Sequence, residues 1–208
     1  MRALAAIGLA ASVLISGCAT MSESECLTAD WRAIGYEDGS AGRPATQLGT
    51  RRQACAEFGV TPNPEAWTAG REEGLLNFCV PSNGFRIGRA GQTYSGVCPG
   101  QLEANFMYGF REGRVIGDAE REVRSSERAV SSAKRELEGI DDKIKALDVD
   151  GALMDETMTL EEKKDVLEAM RKLEARRGEL GAEIDTMTRA AATAQTRLEV
   201  LLDESDFL

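Results

Sequence analysis

Residues 116–147 read IGDAEREVRSSERAVSSAKRELEGIDDKIKAL, and their apolar or small residues recur at alternating spacings of three and four. Such spacings place the residues along one stripe of a helix, and a run of over four heptads is typical of a coiled coil. The stretch therefore predicts a long helix that packs against a second helix. The seam positions are Ile116, Ala119, Val123, Ser126, Val130, Ala133, Leu137, Ile140, Ile144 and Leu147.

A second heptad repeat occupies residues 166–201. Between the two repeats, residues 148–159 interrupt the pattern, and Thr159 with Glu162 forms a capping box that starts a new helix. We therefore predict an acidic antiparallel coiled-coil hairpin over residues 116–208, with its turn at about 148–159. A long, narrow seam also suits pairing between two chains, so the pattern leaves monomer and dimer open.

The register of the hairpin follows if Leu147 lies opposite Leu160. In that register the alanines at 190–192 meet a row of glycines near the base of the first helix, provided that this helix runs from about Leu102 through Leu147. We also expect residues 202–208 to return to the domain at the base. The glycines in the row are Gly109, Gly113 and Gly117.

The amino-acid composition of the chain changes near residue 115. All five prolines lie between Pro44 and Pro99, and ten of the eleven aromatic residues lie between Trp31 and Phe110. Residues 116–208, by contrast, hold 15 basic and 24 acidic side chains. We therefore place a separate helical domain at residues 26–115, so that the whole chain is mainly α, with a small disulfide-bonded head before the hairpin.

An aromatic ring followed by two glycines at helical spacing recurs four times in the head. Glycine inside a helix costs about 1 kcal/mol relative to alanine, so the recurrence predicts close crossings between helix backbones. The alternative is a groove for a glycan or peptide, with Trp31, Trp67 and Tyr94 as its ligand face. Packing is the favoured interpretation, because aromatic residues at helical spacing are more often core than site. The four occurrences begin at Trp31, Trp67, Phe85 and Phe106.

Four cysteines lie in the head, at positions 26, 55, 79 and 98, and no two of them form a Cys-x-x-Cys pair. Zinc ribbons and thioredoxin-like redox sites are therefore excluded. An even number of thiols indicates two disulfides if the chain is exported, as the N-terminal sequence described next predicts. Three pairings are possible. We favour Cys26–Cys55 and Cys79–Cys98, because the helices predicted over 28–39 and 47–58 are antiparallel neighbours.

The N-terminus has the pattern of an export signal. A positive start precedes the apolar residues 3–15, a run too short to span a bilayer, so residues 1–17 are predicted to be a signal peptide. Residues 14–18, LISGC, resemble the bacterial lipobox, which implies lipidation of Cys18 and a lipidated tether at 18–25.

A lipobox cysteine carries several acyl chains, and two or more chains anchor a protein stably in a membrane. Ala19 follows the cysteine, where an aspartate would resemble the inner-membrane retention signal. We therefore expect a lipid-anchored protein of the outer membrane that faces the periplasm.

Many cysteines, glycines and aromatic residues of the head match one family pattern in order and spacing. They are Cys26, Asp30, Trp31, Ile34, Gly35, Asp38, Gly39, Arg52, Ala54, Cys55, Gly59, Val60, Gly70, Gly74, Leu75, Cys79, Asn83, Gly84, Gly88, Gly91, Tyr94, Gly96, Val97, Cys98 and Pro99. In these residues the chain resembles an uncharacterised family of Gram-negative envelope lipoproteins, the domain of unknown function 2799. The resemblance implies an envelope location and a domain over about 26–115, but no activity.

The amino-acid composition excludes several classes of function. The chain has no histidine, which excludes Ser-His-Asp and Cys-His catalysis and metal sites with imidazole ligands. A net charge of −10 argues against nucleic acid as a partner. We expect a structural or adaptor lipoprotein that is not an enzyme, needs no cofactor or metal, and binds a protein partner through its coiled coil. A peptidoglycan or glycan binder is the alternative.

Overall fold

The computed structural model describes residues 21–147 and 149–208, so the predicted signal peptide and Cys18 lie outside the described residues. Within those ranges the regular structure is helical, with no strand, which confirms the mainly α prediction. The helices are α1 (Glu23–Leu27), α2 (Trp31–Ser40), α3 (Gln47–Ala56), α4 (Pro64–Phe78), α5 (Pro81–Arg89), α6 (Gly100–Ala146), α7 (Val149–Met154) and α8 (Leu160–Asp203).

These helices form two compact units. Helices α1 to α4 belong to the first unit, together with Ser95–Cys98, and helices α5 to α8 belong to the second. The division does not coincide with residue 115, where the composition changes, because α6 continues through that position without a break. No helix among the described residues is both long enough and apolar enough to cross a bilayer.

In the first unit, α2 and α4 cross with their backbones in contact. A Cβ atom on Gly35 would lie 2.0 Å from the carbonyl oxygen of Trp67, and one on Gly74 would lie 2.1 Å from that of Tyr36. Each helix therefore presents its glycines to the carbonyl groups of the other. The close crossing predicted from the aromatic-glycine pattern is confirmed here.

The second unit contains the same kind of crossing between α5 and α6. A Cβ atom on Gly88 would lie 2.2 Å from the carbonyl oxygen of Phe110, and one on Gly113 would lie 2.1 Å from that of Phe85. The prediction that the alanines at 190–192 face Gly109, Gly113 and Gly117 is therefore wrong. Helix α5 occupies that face of α6, because its own glycines allow a closer approach than alanine side chains would.

Helices α6 and α8 form the antiparallel hairpin that the heptads predict. Its buried centre joins Ala133 and Ile140 of α6 to Leu180 and Ile184 of α8. The helices are further linked at their flanks by the ion pairs Asp141–Arg177, at 2.7 Å, and Glu122–Arg197, at 3.5 Å.

The predicted register, however, is wrong. Pairing Leu147 with Leu160 would set Asp141 opposite residue 166, whereas Asp141 pairs with Arg177. The predicted turn contains the short helix α7, which packs against α8. Lys163 Nζ, for example, donates to the Leu153 carbonyl at 3.0 Å. The pairing with α6 is thereby displaced toward the C-terminal end of α8.

The C-terminal residues return to the base of the hairpin, as expected. The Ser205 hydroxyl donates to Glu112 at 2.6 Å, and the ring of Phe207 stacks on that of Phe85 with centroids 4.9 Å apart. Helix α8 is therefore held against the α5–α6 crossing by the residues that follow it.

Candidate functional site

Trp67 is a residue of the alternative ligand face, and the structure buries it. Only 2% of its surface is exposed, and its indole N–H donates to Asp38 Oδ2 at 3.0 Å. The guanidinium of Arg71 lies 5.9 Å from the centroid of the ring. Trp67 therefore packs the α2–α4 crossing, as the favoured interpretation predicts, and does not offer its ring to a glycan.

Asp38 is the buried partner of Trp67, a structural role not predicted from the sequence. It is 1% exposed, and its carboxylate accepts from Arg51 Nη2 at 2.9 Å and lies 3.5 Å from Arg43 Nε. Two guanidinium groups and an indole N–H therefore balance the buried charge, which is the condition for keeping a carboxylate in an interior. Its position beside Gly39, on the packed face of α2, was the available signal.

The other two rings of the predicted face are also engaged in packing. Trp31 is half-buried in the cluster around Cys26 and Cys55. Tyr94 belongs to the second unit, where its ring lies 4.5 Å from that of Phe106. The three predicted residues are thus divided between the two units, and none of them is an exposed ring.

All four cysteines of the head are disulfide-bonded. Cys26 and Cys55 form one bridge, which confirms the favoured pairing of α1 with the end of α3. Cys79 and Cys98, the second predicted pair, are disulfide-bonded as well. The described residues contain no group of three or more potential ligand side chains placed to hold a metal ion.

The hairpin tip, which we define as residues 149–160, exposes large apolar side chains. Met154 is 84% exposed, Leu160 is 87% exposed and Leu153 is 38% exposed. These side chains are close in sequence and exposed at a turn, and exposed apolar patches are characteristic of interaction surfaces. The tip is therefore the candidate binding surface of the hairpin.

Polar contacts fix the backbone of the hairpin tip. The hydroxyl and the backbone N–H of Thr157 both donate to Asp155 Oδ1, at 2.6 and 2.8 Å, and they lower the pKa of that carboxyl. The backbone N–H and the hydroxyl of Thr159 both donate to Glu162 Oε2, each at 2.8 Å. These hydrogen bonds, the backbone one most of all, lower the pKa of Glu162. This is the predicted capping box, and it places Leu160 at the first position of α8.

Residues 30–115 match a family whose description is "Protein of unknown function (DUF2799)". Over these residues the chain is similar to the DUF2799 family, as the sequence pattern predicts. The matched segment contains the buried Asp38 and the glycines Gly35, Gly74, Gly88 and Gly113 of the two crossings. No curated protein and no solved structure is significantly similar to the chain.

Proposed function

We propose that the protein is a lipid-anchored envelope lipoprotein that binds another protein through its hairpin tip. The observation that carries the proposal is the exposure of Met154 and Leu160 at the end of an antiparallel hairpin. Burying a side chain of this size is worth about 1.5–3 kcal/mol, so two of them supply a useful fraction of the free energy of binding. No catalytic group is needed for this role.

The charges around the tip indicate the chemistry of the partner. Asp155 and Glu156 follow α7, and Glu161 and Glu162 begin α8, so carboxylates flank the apolar side chains in the sequence and outnumber Lys163 and Lys164. An anionic bilayer surface would repel them, whereas a protein socket with an apolar floor and a rim of lysine or arginine would attract them. The proposed partner is a protein with such a socket.

The lipid anchor rests on residues 14–18, which lie outside the described part of the chain. We expect the full chain to incorporate an alkyne-labelled fatty acid in a Gram-negative host and to remain in the outer-membrane fraction. The Cys18→Ser variant should lose both the label and the membrane fractionation. Labelling that persists in Cys18→Ser would contradict the anchor without bearing on the hairpin tip.

Site-specific crosslinking in cells tests the tip. A photoreactive amino acid at position 154 or 160 should capture the same protein, and the crosslinked peptide should contain lysine or arginine. The control position is Lys172, which is 75% exposed on α8 but far from the tip in sequence. Leu160→Asp should abolish capture from position 154, because it puts a charge into the apolar contact.

Three results would reject the tip as the binding surface. They are no capture from either tip position, equal capture from Lys172, and crosslinking to lipid alone. Each of them is independent of whether Cys18 is lipidated.

A further inference from the structure

A cavity of about 560 Å³ lies in the second unit, between the end of α5 and α6. Four arginines line it, together with Glu120. In a chain whose net charge is −10, such a concentration of positive charge is unusual. The four arginines are Arg86 and Arg89 of α5 and Arg121 and Arg124 of α6.

The ion pairs around the cavity leave positive charge uncompensated. Arg89 donates to Glu120 Oε1 through Nη2 at 2.6 Å and through Nε at 3.0 Å, and Arg121 donates to Asp118 at 2.6 Å. These contacts neutralise two of the four guanidinium groups. Two unit charges therefore remain at the cavity.

The remaining charges are those of Arg86 and Arg124. Arg86 donates to Asn83 Oδ1, a neutral acceptor, at 2.7 and 3.2 Å. Arg124 Nη1 lies 3.9 Å from Glu120 Oε2, which is beyond hydrogen-bonding distance, and its side chain is 53% exposed. Both groups are accessible to an anion that enters the cavity.

The C-terminus of α5 would not repel an anion bound in the cavity. Carbonyl groups at a helix C-terminus carry partial negative charge unless they are paired. Here the N–H of Gln92 donates to Ile87, that of Gly91 to Gly88, and Arg121 Nη1 to the carbonyl of Arg89. The positive φ of Gly91, +72°, allows the chain to make this closing turn.

We propose that this cavity binds the phosphate group of a phosphate monoester, with Arg86 and Arg124 as the donors. A phosphate monoester carries about −1.5 to −2 charges at neutral pH, which matches the two uncompensated guanidinium groups. The planar guanidinium is also the side chain best suited to binding two phosphate oxygens at once. Phe85 and Ala90 give the cavity an apolar wall for the group that carries the phosphate.

Calorimetric titration of the full chain in a neutral detergent tests the proposal. The probes are inorganic phosphate, dihexanoyl phosphatidic acid as a lipid monoester, and dihexanoyl phosphatidylcholine as a zwitterionic control. Phosphatidic acid that binds more tightly than inorganic phosphate indicates a lipid headgroup, and equal affinities indicate a soluble phosphate ester. Phosphatidylcholine should not bind.

Variants assign the binding to the cavity. Arg124→Gln and Arg86→Gln should each weaken binding by about tenfold, the effect of losing one hydrogen bond to a charged group. Arg135→Gln is the matched control, because Arg135 is an exposed arginine of the same helix outside the cavity, and it should leave the affinity unchanged. Glu120→Gln should tighten binding, because it removes the competing carboxylate.

The proposal is overturned if the wild-type chain binds neither inorganic phosphate nor phosphatidic acid. It is equally overturned if Arg124→Gln binds as tightly as the wild type, or if Arg135→Gln loses as much affinity as Arg124→Gln. Weaker binding by Glu120→Gln would also count against it. None of these readouts depends on the proposed function of the hairpin tip.

Discussion

Among single residues, Asp38 has the most demanding environment in the first unit. Its carboxylate is buried, and it joins the indole of Trp67 on α4 to the guanidinium of Arg51 on α3. A buried charge of this kind stabilises the fold only while its partners are in place, since breaking the contact leaves the buried carboxylate or the buried indole N–H without its partner.

Replacing Asp38 should therefore be costly. We expect Asp38→Asn to lower the free energy of unfolding by about 3 kcal/mol, the lower end of the range for a broken buried ion pair. Urea unfolding followed by circular dichroism measures the change. The control is Glu37→Gln, an exposed neighbour on the same helix, which should stay within about 0.5 kcal/mol of the wild type. Equal stabilities of the two variants would contradict the role of Asp38.

The hydrogen bond between Tyr108 and Asp206 depends on pH. The Tyr108 hydroxyl donates to Asp206 at 2.5 Å, and this hydrogen bond raises the pKa of Tyr108 above its ordinary value. Because the folded pKa is raised, the contact stabilises the folded chain below the unfolded pKa of about 10 and is lost as the pH rises through the folded pKa.

Asp206→Asn should lower the pKa of Tyr108 toward the ordinary value. Ultraviolet titration of phenolate formation measures this directly, because the chain has only three tyrosines. The midpoint of one tyrosine should fall in Asp206→Asn, while Tyr108→Phe should remove that step altogether. Identical titration curves for Asp206→Asn and the wild type would show that the hydrogen bond does not form in solution.

Among the helices, α6 contains glycines with opposite roles. Gly113 lies against the carbonyl of Phe85, where a Cβ atom would be 2.1 Å away, whereas a Cβ placed on Gly139 would meet no atom within 4 Å beyond the neighbouring backbone of its own helix. Gly113 is therefore required by the crossing with α5, and Gly139 only weakens the helix.

Alanine substitutions in α6 should separate these roles. Gly113→Ala should destabilise the protein by about 1–3 kcal/mol, because α5 must move away from α6. Gly139→Ala should stabilise it by about 0.5–1 kcal/mol through the higher helix propensity of alanine. Thermal unfolding of the two variants gives both values, and effects of the same sign would contradict the assignment.

For the whole molecule, the pairing of α6 with α8 within one chain has a thermodynamic consequence. An intramolecular hairpin unfolds at a temperature independent of protein concentration, whereas a coiled coil between chains melts higher as the concentration rises. We expect an unchanged midpoint over about a hundredfold range of concentration. A rising midpoint, together with a dimer mass from light scattering, would show that the seam pairs between chains.

Much of this architecture could be predicted because it follows from local periodicity. The heptads of residues 116–147 and 166–201 define two long helices, and the capping box at Thr159 defines where the second begins. The aromatic-glycine spacing likewise predicts backbone crossings, since a glycine in a helix needs a compensating contact. These patterns belong to single segments, so the sequence alone reveals them.

The choice between competing partners was decided only by the tertiary structure. Gly109 and Gly113 suit any close-packing helix, and α5 rather than the alanines of α8 occupies them. The contact of α7 with α8 shifts the hairpin register. The hydrogen bond from Trp67 to Asp38 holds the indole in the interior, where it cannot form a ligand face. The cavity between α5 and α6 arises in the same way, from arginines more than 30 residues apart. Periodicity determines which face of a helix must be covered, but what covers it depends on which distant segment fits most closely and satisfies the most polar groups.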